Sequence, residues 1–150
     1  MFDGIISSQE ILEVCFMKHC TEKVVEWVKS KNLTIIPNRS DEKTDVLDFP
    51  WDGKSLRCIF TGAEGEYLSL FYYLESVPED KIADVLLVCN EMNAKYKWVK
   101  FYIDSDNDIA LQDDAILNLA TAGEEALELI VRMIDILKNS KPEFMRAIYS

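Results

Sequence analysis

Most of the arrangements that declare a chemistry are missing from this chain of 150 residues. It has one histidine, so no histidine pair can hold a metal or relay a proton. Its five glycines form neither a phosphate-cradling loop nor a G-x-S-x-G nucleophile elbow. Cys15, Cys20, Cys58 and Cys89 contain no Cys-x-x-Cys pair. Cys15, His19 and Cys20 could meet on one helix turn, but no second ligand pair completes a zinc site. Basic residues are scarce as well: 16 against 27 acids leave a formal charge of -11. That charge repels phosphate backbones and anionic lipid, which argues against nucleic-acid and membrane-surface partners. No apolar run approaches the roughly 20 residues of a membrane helix. The opening Met-Phe-Asp-Gly lacks the basic end and apolar centre of a signal peptide. With four thiols set in apolar sequence and no disulfide expected, the reading is a cytoplasmic protein.

What is present is a regular alternation of helical and strand periods. Ser7-Ser-Gln-Glu10 matches a capping box and predicts a helix from about Ser8. Val24, Val25 and Val28 recur at helical spacing beside Trp27, and Lys29 to Asn32 close that segment. Asn38 to Thr44 is polar and reads as a loop. Asp52-Gly53 between "DVLDFPW" and "SLRCIFTG" is a hairpin signal, and Glu64-Gly65 makes a second turn. Leu68, Leu70, Tyr72 and Leu74 then alternate with Tyr67, Ser69, Phe71 and Tyr73, giving the third strand of an antiparallel meander.

Pro78 ends that strand and opens a helix with Glu79 and Asp80 in its first turn. Ile82, Val85, Leu86, Cys89 and Met92 form its predicted buried stripe. Asn93 falls near the centre of the stripe and Asn90 at its margin, and the expected role of Asn93 is to tie the helix end to the following turn or strand. Val99, Phe101 and Ile103 alternate, as do Ile109 and Leu111, which places Asp104 to Asp108 at a hairpin tip. A calcium loop starting at Asp104 would need Gly and Glu where the chain has Ile109 and Ala115, so the aspartates read as turn formers. Thr121-Ala-Gly-Glu124 is a second capping box, launching a helix with Leu127, Ile130, Val131, Ile134 and Leu137. Leu129, Met133 and Ile136 widen its apolar arc, so it needs cover on two sides. Pro142 is expected to start a short terminal helix with Phe144, Met145 and Ile148 on its apolar side.

The stretch "LVCNEMNAKYKWVKFYIDSDNDIALQDDAIL", with Asn90 and Asn93 ending a helix, lysines leading a strand and an acidic tip before the next, resembles the YbjN family of bacterial sensory transduction regulators. The resemblance is clearest from Ile82 to Ile148 and weaker in the first half. It implies a fold like that of type III secretion chaperones, which bind polypeptides without catalysis and are often dimeric. The expectation is one α+β domain over residues 1–150, with 1–20 as an N-terminal helical addition. The element order is α-β-β-β-α-β-β-α around an antiparallel five-stranded sheet. No catalytic, cofactor or metal residues are expected. The expected partner is a protein or peptide, a second copy included, held by Phe71, Tyr73, Trp98, Tyr102, Leu129 and Met133. The competing reading is a small-ligand sensor or an enzyme using surface carboxylates, which would require an enclosed cavity with converging polar groups.

Overall fold

The computed structural model describes residues 17–150, so the helix expected from Ser8, its capping box and Cys15 lie outside the described residues. The elements are α1 (His19–Ser30), β1 (Ile36–Ser40), β2 (Asp45–Trp51), β3 (Lys54–Thr61), β4 (Tyr67–Ser76), α2 (Ile82–Lys95), β5 (Lys100–Ile103), β6 (Asp108–Ile116) and α3 (Ala122–Tyr149). Short 3-10 turns at Glu79–Lys81 and Leu119–Thr121 lead into α2 and α3.

The sheet has six strands in the order β1-β2-β3-β4-β6-β5, not the five expected. The additional strand is β1, whose residues fall mostly in the stretch read as a loop. It lies at the sheet edge, contains Pro37, and its register against β2 shifts between Pro37 and Arg39. Exposed and half-buried residues fill it, so no apolar alternation marks it as a strand. Contacts divide the chain into two compact units, one running to Leu68 and including Ala115–Leu127, the other comprising Ser69–Asp114 and Glu128–Ser150.

In the first unit α1 buries Val24, Val25 and Val28, the stripe its spacing predicts, and Cys20 and Thr21 besides. Its start is fixed by Asp45, a fully buried carboxylate. Asp45 accepts hydrogen bonds from the Lys18 amide at 2.8 Å, the Thr21 hydroxyl at 2.6 Å and the Ser40 hydroxyl at 2.5 Å. A carboxylate so satisfied can be buried where an unpaired one could not. The β2–β3 hairpin turns on Asp52 and Gly53, both at positive φ (51° and 74°), as a two-residue turn with right-handed strand twist requires. Gly123 lets α3 approach α1 closely, because a Cβ there would lie 2.5 Å from that of Trp27. The cap of α3 differs from the expected Thr121–Glu124 box. Glu125 accepts from the Thr121 hydroxyl at 2.6 Å and the Asn118 amide at 3.1 Å, because the intervening 3-10 turn shifts the helix start.

In the second unit the two-residue period of β4 holds: Leu70, Tyr72 and Leu74 are buried while Ser69, Phe71 and Tyr73 point the other way. Phe101 pairs with Leu111 and Ile103 with Ile109 across the β5–β6 hairpin. The acidic tip is a turn built by one side chain. Asp104 accepts from the Asp106 and Asp108 amides, each at 2.9 Å, and Asn107 adopts φ 60°. On α2 only Val85, Cys89 and Met92 are buried; Leu86, expected in the stripe, is exposed, and Ile82 is half-buried. The helix rests on one narrow line. Phe144 of α3 stacks on Phe101 with centroids 5.7 Å apart. The expected break at Pro142 is absent, and α3 continues through it. Pro142 is exposed while Phe144 and Ile148 beyond it are buried, so their burial carries the helix past a residue that gives no backbone hydrogen bond.

Asn93 lies at the solvent margin of α2, not in its stripe, and clasps the edge strand. Its Nδ2 donates to the Phe101 carbonyl at 2.9 Å, and its Oδ1 accepts from the Phe101 amide at 2.7 Å. The amide thus takes the place of a neighbouring strand. Replacing Asn93 with Leu should cost about 1–3 kcal/mol, because two backbone groups lose their partner. Urea titration checks it, and an unchanged midpoint contradicts it.

Asp113 lies among the inward residues of β6 at 6% exposure. One of its oxygens, Oδ2, has no hydrogen-bond partner among the described residues. Burial, with the Asp114 carboxylate adding to it, pushes Asp113 up to about 6. The folded chain therefore holds this proton more tightly than the unfolded chain. The resulting stability is complete below about 3.8 and is lost as pH rises through about 6. Asp113→Asn should flatten that part of the stability–pH curve and raise stability at pH 7 by about 1–3 kcal/mol. Parallel pH series of melts for parent and variant check it; curves of the same slope between pH 5 and 7 would exclude it.

Candidate functional site

Three aromatic side chains share the outward face of the second unit. The register of β5 on β6 sets Tyr102 against Ala110 and Lys100 against Gln112. The alternation of β4 turns Ser69, Phe71 and Tyr73 to that same side, because Ser69 donates to Asp114 at 2.6 Å. Tyr73 is 46% exposed, whereas Phe71 and Tyr102 are half-buried. Around them runs a polar chain. The Tyr102 hydroxyl donates to Gln112 at 2.9 Å, and the Gln112 amide donates to Asp114 at 3.0 Å. The Lys100 ammonium lies 5.7 Å from the centroid of the Tyr102 ring. Burial raises the Tyr102 phenol, with Tyr73 and the carboxylates of Asp104 and Asp114 reinforcing it. The ring stays neutral at physiological pH.

The edges of the sheet are closed to strand addition. At β1, Pro37 removes a donor and the register shift breaks the ladder. At β5, Asn93 already occupies the amide and carbonyl of Phe101. Both edges thus leave fewer free backbone groups for an added strand than an unblocked edge would.

Among the described residues no group of three or more His, Cys, Asp or Glu could hold a metal ion. Cys20, Cys58 and Cys89 are buried free thiols. Burial raises all three, Cys89 to about 11, so they are protonated at neutral pH and are poor nucleophiles. His19 pairs with Glu64 at 2.5 Å on an exposed surface with no nucleophile in that pair. Two recesses formed by described residues are open ones. The first, about 290 Å³, is lined by Lys95, Tyr96, Lys97, Trp98, Arg132, Asp135, Ile136 and Asn139. The second, about 400 Å³, lies between Lys23, Trp27 and Glu124.

Of the six residues expected to meet a partner, Phe71, Tyr73 and Tyr102 come together. Trp98 does not join them. It precedes β5, has φ 77°, and lines the first recess instead of the sheet face. Leu129 is half-buried on α3, and Met133 is fully buried and offers no surface. The polar chain of Ser69, Gln112 and Asp114 was missed, although alternation along β6 puts Gln112 and Asp114 on one side.

No helix among the described residues is long and apolar enough to cross a membrane. Comparison with curated protein sequences gave no match. An uncharacterised protein from Methanothermobacter thermautotrophicus has a similar fold, with TM-score 0.52 and 11% identity over 83% of this chain and 99% of that one. Weaker likeness extends to the heterodimeric ExoU–SpcU complex from the type III secretion system of Pseudomonas aeruginosa, with TM-score 0.43 and 13% identity over 85% of this chain and 95% of that one. The ExsC–ExsE complex gives TM-score 0.40 and 14% identity over 89% and 99%. Residues 21–139 match the YbjN family, described as "Putative bacterial sensory transduction regulator". The match spans well over half of the sequence, and the chain belongs to the YbjN family.

Proposed function

We propose that the protein is a non-catalytic regulatory module that works by holding another polypeptide against the outward face of its second unit. The observation that carries this reading is the grouping of Phe71, Tyr73 and Tyr102 on a sheet whose edges are both shut. Aromatic side chains give large contact area with few rotamers to freeze, and the hydrogen-bonded rim holds Tyr102 in place before any partner arrives. The small-ligand sensor is less well supported, because the two recesses described are open and do not enclose a molecule. A second copy of the chain is one partner this face could take. The buried free thiols suit a reducing compartment, so the cytoplasm is the proposed place of action.

The double variant Phe71→Ser, Tyr73→Ser tests the reading. Both side chains point away from the core, so its melting temperature should stay close to that of the parent. A polypeptide retained by the parent in affinity capture, then purified and titrated, should bind the variant roughly tenfold or more weakly. Sedimentation equilibrium on each protein alone distinguishes self-association from a foreign partner. Equal affinity of parent and variant for the retained polypeptide would overturn the proposal.

A further inference from the structure

The recess beside Trp98 carries a charge opposite to that of the protein as a whole. Lys95, Lys97 and Arg132 line it against a single acid, Asp135, in a chain of net charge -11. Arg132 is partly neutralised by Glu128 at 2.8 Å. Lys95 has no carboxylate partner among the described residues; its ammonium lies 5.2 Å from the centroid of the Tyr96 ring. Lys97 likewise has no carboxylate partner there. Ion pairing within the unit therefore does not account for these two lysines.

Trp98 supplies a second, independent sign. It is 60% exposed, and its φ of 77° lies where bulky residues are rarely found. The Val99 amide donates to the Lys97 carbonyl at 2.9 Å, which closes a three-residue turn of the strained, positive-φ kind with Trp98 at its apex. Such a conformation is strained and persists where surroundings or use demand it. Glycine would satisfy this turn without strain, yet the chain places its largest side chain there, facing solvent.

We infer that the recess formed by Lys95, Lys97, Trp98 and Arg132 is a docking site for a short acidic polypeptide segment, distinct from the outward sheet face. Carboxylates of the segment meet Lys95 and Lys97, and its apolar atoms lie on the Trp98 ring. Asp135 and Asn139 provide acceptors for its backbone amides, so the lining matches a peptide, which both accepts and donates. A polyphosphate has no donors for Asp135 and would be repelled by it. The overall charge of -11 disfavours extended polyanions and anionic membranes, while a short segment with few charges stays within the local field.

The test uses the full chain and a hexaglutamate peptide, with hexaglutamine as the uncharged control, titrated by calorimetry at low and at physiological ionic strength. Saturable binding of hexaglutamate, absent for hexaglutamine and weakened by salt, is the expected result. Lys95→Gln with Lys97→Gln should weaken it at least tenfold. Trp98→Gly should weaken it as well while melting no lower than the parent, since glycine relieves the positive φ; a purely structural tryptophan would lower the melting temperature and leave binding unchanged. No binding of hexaglutamate, binding that survives both variants, or preferential binding of phosphatidylserine vesicles over the peptide would overturn the inference.

Discussion

The second unit depends on the clasp between Asn93 and Phe101. Two hydrogen bonds, at 2.9 and 2.7 Å, join the last turn of α2 to the edge strand eight residues later. Within that span the chain must leave the helix, reverse and enter β5, and the positive φ of Trp98 is where the reversal is made. The clasp also holds the Phe101 backbone in register, so that its ring meets Phe144 on the inner side and Tyr102 is turned outward. A backbone edge that would otherwise recruit another strand is thereby satisfied within the fold. One amide side chain thus bears on stability, on the recess and on the outward face together.

The proposed function rests on the outward side of the strands in this unit. Buried Tyr72, Ile109 and Leu111 occupy one side of the strands, and Phe71, Tyr73 and Tyr102 remain on the other. The cost of leaving aromatic rings half in water is reduced by the polar chain from Tyr102 through Gln112 and Asp114 to Ser69. That chain also fixes rotamers, which would lower the entropy lost if a partner bound there. Asp113 sits between Gln112 and Asp114 in sequence but turns inward, where a carboxylate has little to gain.

Much of this arrangement was legible in the residues because it is written in local periods. The alternation of β4, the Asp52-Gly53 turn, the Asp104 tip and the stripe of α1 all follow from side-chain spacing and turn chemistry within a few residues. Asn93 was legible too, since a polar amide at the end of an apolar helix needs partners, although its place at the helix margin was not. What was lost depended on distant residues. β1 is held by pairing with β2 and not by its own apolar pattern. Pro142 stays helical because Phe144 and Ile148 are buried beyond it. Trp98 left the strand face because the chain turns at its positive φ before entering β5, and no spacing rule records that turn. The recess joins Lys95 and Lys97 to Arg132, more than thirty positions apart, and local pattern does not bring them together.

The most direct measurement of the central claim is site-directed photo-crosslinking in cells. A photoreactive residue at position 73 samples the outward face, and one at position 55, at exposed Ser55 of β3, samples a control surface in the other unit. The account predicts a discrete polypeptide adduct at position 73 and none at position 55. An absent adduct at 73, or adducts of equal yield at both positions, would contradict it.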